Sequence, residues 1–302
     1  QLVVDIVKKR NYHPDVLARG LAGTDTKTIG VIFPRISNLY YAELLQGIQE
    51  VAGELGYNVV LFVTNNDTKQ AHQYLRVLKA YHASGVIYQN RYFDAADQEG
   101  LAASRLPAVV INRRVPAGKF YAVVLDEAAE AARATQYLID LGHRRLAFIG
   151  GPIEDPWPGR LRLAGFKRAL HANRIKLDED LIAFGDWTFK SGYAAMEQLL
   201  AKGKQIEGVF AASDEMAIGA MKAMQAHGMS IPEDVSVIGF DGVPLGVMSA
   251  PELTTMEQPI REMGRASMRI LFRLIQGEHL PEARTVFACR LLERKSCMQR
   301  VR

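Results

Sequence analysis

Polar side chains that suit a hydroxyl-rich ligand follow several apolar runs of this sequence. Asp241 ends the run SVIGFDG, Gln89 and Asn90 end GVIYQN, and Arg113 comes just after PAVVIN. A carboxylate presents two acceptors and a guanidinium presents a fork of donors, so each holds neighbouring hydroxyls in fixed geometry. If the runs are parallel strands, these groups meet at one sheet edge, where α/β sheets bind ligands. The plainer alternatives are a helix-capping Asp241 and a surface Arg113.

Three aromatic side chains are candidates for stacking on the apolar face of a sugar ring. Tyr40 and Tyr41 open a predicted helix, and Trp187 follows a predicted strand. Small-ligand sites are lined mostly by apolar and aromatic groups with a few polar ones among them. We expect Tyr40 to face the ligand and Tyr41 to be the more buried of the pair. Packing in the core is the alternative for all three.

These candidates need a scaffold, and from Thr28 the chain alternates between apolar runs and amphipathic helices. The predicted strands are TIGVIFP, NVVLFV, GVIYQN, PAVVIN, YAVVL, RLAFIGG, LIAFGDW, GVFAAS, SVIGFDG and, as one final edge strand, VFACRLLE. Near-continuous apolar runs are typical of parallel strands that helices cover on both faces. The pattern predicts two successive doubly wound α/β lobes with a ligand cleft between them. Gln258 ends the connector LTTMEQP, where it reaches the ligand or lines the crossing between lobes.

The composition is that of a globular chain without a membrane span. Of 302 residues, 48% are hydrophobic and 23% are charged. No apolar run approaches the ~18 residues of a transmembrane helix, and no signal-peptide pattern precedes the first lobe. Cys289 and Cys297 form neither a disulfide framework nor a metal quartet, which favours a reducing compartment and predicts a cytoplasmic protein. A net charge of +4 is compatible with a nucleic-acid partner.

Catalytic and cofactor motifs are missing from the sequence. There is no GxGxxG or Walker loop, and the 7 histidines are scattered away from any Ser/His/Asp or Cys/His set. No spacing of His, Cys or carboxylates is typical of a metal site. We therefore predict a binding protein without a cofactor or metal, and not an enzyme.

The first 26 residues differ from the rest. Pro14 stands at the natural first position of a helix, DVLARGLAG, which Gly23 closes. That helix is shorter than the ~12–15 residues that are stable alone in water. Gly20 inside it costs about another 1 kcal/mol. We expect it to form only when a partner holds it, and a plain linker is the alternative.

Several motifs in one order resemble the LacI/GalR family of bacterial transcription regulators over nearly the whole chain. They are YHPDVLARGL, TIGVIFPRISNLYYAELLQGIQE, LGHRRLAFIGGP, RLAGF from Arg162, SDEMAIGAM, IPEDVSVIGFDG and LTTMEQP. The resemblance implies a core fold shared with periplasmic sugar-binding proteins. It also implies operator DNA and a small effector as partners, and a homodimer rather than a tail-mediated tetramer.

The resemblance gives the N-terminal segment a role in DNA binding. The family's hinge helix inserts a leucine into the minor groove and kinks the duplex. Leu21 matches that position, with Ala18 and Arg19 beside it. Only the end of the family's helix-turn-helix headpiece is expected, near residues 2–10, so operator binding needs the missing headpiece.

The resemblance also selects among candidates at the cleft. Arg113 is favoured over the adjacent arginine, and Arg162 is favoured because it begins the family's Arg-x-x-Gly-Phe frame. Trp187 stands where the family often has an aromatic lid. Ser213 stands where relatives often carry Asn and is a shorter, weaker donor.

The sequence thus predicts an effector-responsive repressor with three parts. Residues 1–26 form the headpiece end and hinge helix, 27–141 plus 260–287 the first lobe, and 142–259 plus 288–302 the second. A small carbohydrate binds between the lobes, held by Tyr40, Tyr41, Asn90, Arg113, Arg162, Trp187, Ser213, Asp241 and Gln258. The alternatives are a periplasmic-type sugar-binding protein and the same regulator with a purine-type effector.

Overall fold

The structure of the protein, a computed structural model, describes residues 26–90, 93–113, 115, 120–155 and 157–300. The predicted hinge helix, with Ala18, Arg19 and Leu21, lies outside the described residues and stays a prediction. Within the described ranges, no helix combines the length and the apolar character needed to cross a bilayer.

The apolar runs form strands, because β-branched residues favour extended backbone buried on both faces. In chain order the strands are β1 (Thr28–Phe33), β2 (Asn58–Val63), β3 (Gly85–Tyr88), β4 (Ala108–Ile111), β5 (Tyr121–Leu125), β6 (Leu146–Gly150), β7 (Ile182–Phe184), β8 (Gly208–Ala211), β9 (Ser236–Asp241), β10 (Thr254–Glu257), β11 (Arg284–Phe287) and β12 (Arg290–Leu292). Every residue of β3, β4 and β9 is buried, as expected of strands inside a layered α/β fold.

Helices connect the strands, and several begin at side chains that accept a bond from the first turn. Asn38, Asp94, Asp126 and Thr188 do so at four of them. In chain order the helices are α1 (Leu39–Glu54), α2 (Thr68–Ala80), α3 (Ala95–Ser104), α4 (Glu127–Asp140), α5 (Gly159–Ala172), α6 (Phe189–Leu200), α7 (Asp214–Ala226), α8 (Leu245–Met248) and α9 (Ile260–Ile275). A 3-10 turn spans Glu179–Leu181.

Two six-stranded sheets form the two lobes, which confirms the predicted doubly wound α/β fold. The first has the order β11-β5-β4-β3-β1-β2 and is parallel throughout. The second has the order β12-β10-β9-β8-β6-β7, and only β12 runs antiparallel to its neighbour. The carboxyl ends of the parallel strands therefore lie along one edge of each sheet.

The chain crosses between lobes three times in the described residues. It leaves the first lobe after β5, returns after β10 and leaves again after β11. The helix α9 packs on α1 and touches β3, β4 and β5. The run VFACRLLE, predicted as one edge strand, is wrong as such: its first residues end β11 in the first sheet, and Arg290–Leu292 forms β12 in the second. Alternation alone does not reveal that a strand changes sheets midway.

The predicted boundary after residue 141 also differs from the structure. Helix α4 packs against α5 and touches β8, β9 and β10 of the second sheet. Its buried residues Ala131, Ala134 and Leu138 belong to the second lobe's core. The chain therefore changes lobes at Asp126, because the apolar stripe of α4 covers the second sheet.

Candidate functional site

A cleft of about 660 Å³, counted with its space open to solvent, lies between the lobes where the strands of both sheets end. This is a usual size and a usual place for a small-molecule site in α/β proteins. Eight of the predicted residues line it: Tyr40, Tyr41, Arg113, Arg162, Trp187, Ser213, Asp241 and Gln258.

Arg162, in the first turn of α5, is a buried charged group of the cleft with several bonds. It is 3% exposed, and its Nε donates to Glu127 Oε2 at 2.7 Å. One terminal nitrogen donates to Ala212 O at 2.5 Å and lies 3.5 Å from Asp241 Oδ1. Burial alone lowers the pKa of Arg162, but the carboxylates of Glu127 and Asp241 raise it overall. The guanidinium is therefore a fixed cation.

Asp241 ends β9 and is held on the other side by Gln258. The amide nitrogen of Gln258 donates to Asp241 Oδ1 at 2.7 Å. Burial raises the pKa of Asp241 well above its ordinary value, against the opposing effect of Arg162. The side chains of Arg162, Asp241 and Gln258 thus form one bonded row along the wall of the second lobe.

The turn after Asp241 requires glycine. Gly242 has φ +78°, and a Cβ there would lie 2.6 Å from Glu257 Cα. The buried carboxylate of Asp214 accepts bonds of 2.8 Å from the N–H groups of both Gly242 and Val243. The sequence GFDG therefore ends in a braced turn that fixes where Asp241 points.

Trp187 and the tyrosine pair supply aromatic faces on opposite lobes. The indole of Trp187 lies against Gly151, where a Cβ would come within 1.9 Å of the ring. Tyr40 and Tyr41 pack edge to face with centroids 5.2 Å apart. The predicted order of burial is wrong: Tyr40 is the more buried, because its hydroxyl accepts a 2.8 Å bond from Asn112 Nδ2 inside the lobe.

Arg113 reaches the cleft, but Asn90 does not line it. Arg113 is 4% exposed, and its Nε donates to the carbonyl of Asn90 at 2.7 Å. The amide of Asn90 instead points to the interior, where its Nδ2 donates to Asp97 at 3.1 Å. The adjacent Gln89 lines the cleft in its place. Successive side chains of an extended segment point to opposite faces, so only one of this pair reaches the cleft.

The two lobes touch at the mouth of the cleft. A terminal nitrogen of Arg35 donates to Asp186 O at 3.1 Å, and Asn38 Nδ2 lies 3.5 Å from Trp187 O. Each contact joins the start of the first lobe to the loop after β7. These bonds bridge the two lobes beside the aromatic and charged groups of the cleft.

Comparisons with known proteins agree with this architecture. A family model of a periplasmic binding protein-like domain matches residues 135–297. Catabolite control protein A of Priestia megaterium is 33% identical over 276 residues, covering 91% of this chain and 83% of that protein. The transcriptional regulator CelR in complex with cellobiose matches with a TM-score of 0.83 at 31% identity, covering 97% of this chain and 89% of that one.

The chain belongs to the LacI family of transcriptional regulators. The lac repressor dimer, bound to operator and the anti-inducer ONPF, matches with a TM-score of 0.88 at 27% identity, over 98% of this chain and 89% of that one. The predicted family and its periplasmic-binding-protein-like fold are thereby confirmed.

In this LacI-family chain, sequence reasoning missed Glu127, which makes the shortest side-chain bond to Arg162. An acid in the first turn of a helix suits the helix dipole and carries no other signal. Asn112 was also missed as a cleft residue, although it adjoins Arg113. Ser213 is at the cleft but caps α7 as well, since its hydroxyl accepts from Met216 N at 3.3 Å.

Three amide oxygens around the cleft of this regulator are buried and have no partner among the described residues. They belong to Gln89, Asn112 and Gln258. A buried acceptor without a donor costs about 1–3 kcal/mol. These acceptors, beside the donors of Arg113 and Arg162, make the cleft suited to a ligand whose groups both donate and accept.

Proposed function

We propose that this LacI-family regulator is a repressor that a small carbohydrate controls by binding in the cleft. The observation that carries the proposal is the set of amide oxygens of Gln89, Asn112 and Gln258, which have no partner in the described part of the chain, beside the fixed guanidinium of Arg162 and the carboxylate of Asp241. A sugar hydroxyl donates one bond and accepts another, so adjacent hydroxyls satisfy both kinds of group at once.

At Arg162 the charges are already balanced, so this position gives an anion no advantage. Its guanidinium already meets the carboxylates of Glu127 and Asp241, so no buried positive charge is left there for a ligand to neutralise. Arg113, in contrast, donates to the carbonyls of Asn90 and Asn112 and has no carboxylate partner among the described residues. The aromatic faces of Trp187 and Tyr41 provide apolar surface for the C–H faces of a ring. A purine base would use the same stacking, but each of its polar groups either donates or accepts a bond, whereas each sugar hydroxyl does both.

Coupling to DNA is proposed to act through closure of the lobes. A ligand held by Arg113 of the first lobe and Asp241 of the second stabilises the closed arrangement that Arg35 and Asn38 already bridge. Closure changes the spacing of two first lobes in a homodimer, and with it the contact of the hinge segments with operator DNA. Such coupling is of order 1–3 kcal/mol.

The other parts of the proposal follow from this mechanism. Ala18, Arg19 and Leu21 contact the minor groove when the headpiece is present. The protein acts in the cytoplasm, where its operator is, and catalyses no reaction. That a similar regulator has been solved with cellobiose supports a sugar as the effector class here.

A thermal-shift screen tests the proposal. The chain is heated with cellobiose, monosaccharides, sugar phosphates and nucleosides, each at millimolar concentration. Asp241→Asn removes the proposed hydroxyl clamp. Asp178→Asn is the control, because Asp178 is a half-buried aspartate of the same lobe that does not line the cleft and instead pairs with Lys204 and accepts from Asp180 N. We expect a neutral sugar to stabilise the wild type and the control but not Asp241→Asn.

Two results would count against the proposal. Equal stabilisation of all three proteins by a sugar would show that the sugar does not bind at Asp241. Stabilisation by a nucleoside and by no sugar would favour a purine-type effector over a carbohydrate.

A further inference from the structure

A cluster of polar side chains is buried in the first lobe behind the cleft wall. Asp97, at the start of α3, is fully buried, and Tyr88 and Asn90 beside it are equally so. The Tyr88 hydroxyl donates to Asp97 Oδ1, and Asn90 Nδ2 donates to the same oxygen at 3.1 Å. None of these three side chains lines the cleft.

The position of Asp97 is itself fixed by the fold. It lies in the first turn of α3, where the helix dipole favours a negative charge. Its own N–H donates to Asp94 Oδ1 at 2.9 Å. On the far side, His72 Nε2 lies 4.0 Å from the carboxylate. A carboxylate buried this deeply lowers the stability of the fold unless it is well hydrogen-bonded.

Asn90 connects this cluster to the cleft. Its backbone lies just past the end of β3, beyond the ladder of the sheet. Its side chain is anchored by Asp97 and by the Thr64 hydroxyl at 3.5 Å. Its carbonyl accepts the 2.7 Å bond from Arg113 Nε. Fixing the side chain of Asn90 therefore fixes the carbonyl that holds the guanidinium.

We propose that Asp97 is a positioning residue for the effector site, acting through Asn90 to hold Arg113 in the cleft. It touches no ligand itself. The role rests on the proposed function, because only there does Arg113 meet an effector. The geometry of Arg113 is nevertheless a property of the unliganded chain, and so it is tested without any effector.

The test is nitrogen-15 NMR of the whole chain with labelled arginine. The Arg113 Nε–H signal is identified by its loss in Arg113→Lys. In the wild type we expect a resolved signal that is protected from exchange by the bond to Asn90. In Asp97→Ala, exchange with water is expected to be about 2- to 10-fold faster, as the loss of one ordinary hydrogen bond implies. Asp97→Asn retains an acceptor oxygen for Asn90 and should restore most of the protection.

His72→Ala is the control, because it removes another neighbour of Asp97, 4.0 Å from the carboxylate, and leaves the bond from Asn90 in place. We expect the Arg113 signal to be unchanged in His72→Ala. An unchanged Arg113 signal in Asp97→Ala, or the same release in His72→Ala, would overturn the proposal. If Asp97→Ala does not fold, Asn90→Ala takes its place, since it cuts the same link and keeps the carbonyl.

Discussion

Glu127→Gln tests whether the buried pair with Arg162 supports both the fold and the cleft. The side chain of Glu127 is fully buried, and its Oε2 lies 2.7 Å from Arg162 Nε. Removing one partner from a buried ion pair costs about 3–5 kcal/mol. Gln keeps the volume and one acceptor, and Asp241 stays 3.5 Å from the guanidinium, which places the expected loss near the lower end.

We therefore expect the free energy of unfolding to fall by about 3 kcal/mol and the melting temperature by about 6–12 °C. Urea unfolding and differential scanning calorimetry measure the two quantities. The variant should also bind its effector more weakly, because Arg162 then turns to Asp241 and occupies the acceptors that would hold a hydroxyl.

Glu130→Gln is the control for this prediction. Glu130 lies on the same helix one turn later and is also buried, but its partner Arg133 is 53% exposed. Pairs that water reaches are worth about 0–1 kcal/mol, so the control should lose little stability. Equal losses in the two variants would refute the idea that the Glu127–Arg162 pair is special.

Three further predictions concern the same walls. Asp241→Asn should gain stability relative to the wild type as pH rises from 4 to 8. Because the pKa of Asp241 is raised in the fold, the wild type has its full stability below the unfolded pKa of ~3.9 and loses stability as pH rises toward the folded pKa. Parallel plots of unfolding free energy against pH, from urea titrations of the two proteins, would contradict the prediction. Gly242→Ala should lose about 1–3 kcal/mol or more of unfolding free energy in the same titration, since φ is +78° and its Cβ would lie 2.6 Å from a backbone atom of β10. Gly203→Ala is the control: φ is +65° there but, beyond its chain neighbours, no atom of the described residues would lie within 4 Å of its Cβ, so it measures the backbone strain without the steric clash. Tyr40→Phe should cost about 1–2 kcal/mol and weaken effector binding in calorimetry, because the amide of Asn112 loses its partner; unchanged affinity would remove Asn112 from the site.

Local pattern was enough to predict β1 to β9 and part of the cleft lining, whereas the choice of Arg113 and Arg162 among neighbouring arginines came from the family resemblance. Parallel strands buried on both faces are nearly continuous apolar runs, so their ends mark the sheet edge where Arg113 and Asp241 lie. Trp187, just past a strand end, and Gln258, at the end of a connector, were selected by the same kind of position, and the role of Trp187 as an aromatic lid is what the resemblance implies. Whether these residues bind an effector is still a prediction.

The parts that could not be predicted depend on which side chains and segments meet in the folded chain. Glu127 looks like an ordinary first-turn acid, and its partner is 35 residues away in the sequence. The stripe of α4 is equally suited to either sheet, and nothing in its sequence says which one it covers. The inward turn of Asn90 is set by Asp97 on the next helix, which no spacing in GVIYQN reveals.

The groups proposed to hold the effector are also attached to the crossings between lobes. Arg162 is bonded to Glu127, the first residue of α4 after the chain leaves the first lobe. Asp241 is bonded to Gln258, immediately before the chain returns to it. A ligand that moves Arg162 or Asp241 therefore also acts on Glu127 or Gln258, which lie next to the crossings between the lobes. We expect effector affinity and lobe orientation to change together in variants of Glu127 and Gln258. Variants of Tyr41, whose ring contacts are with Phe33 and Tyr40 of the first lobe, should change affinity alone.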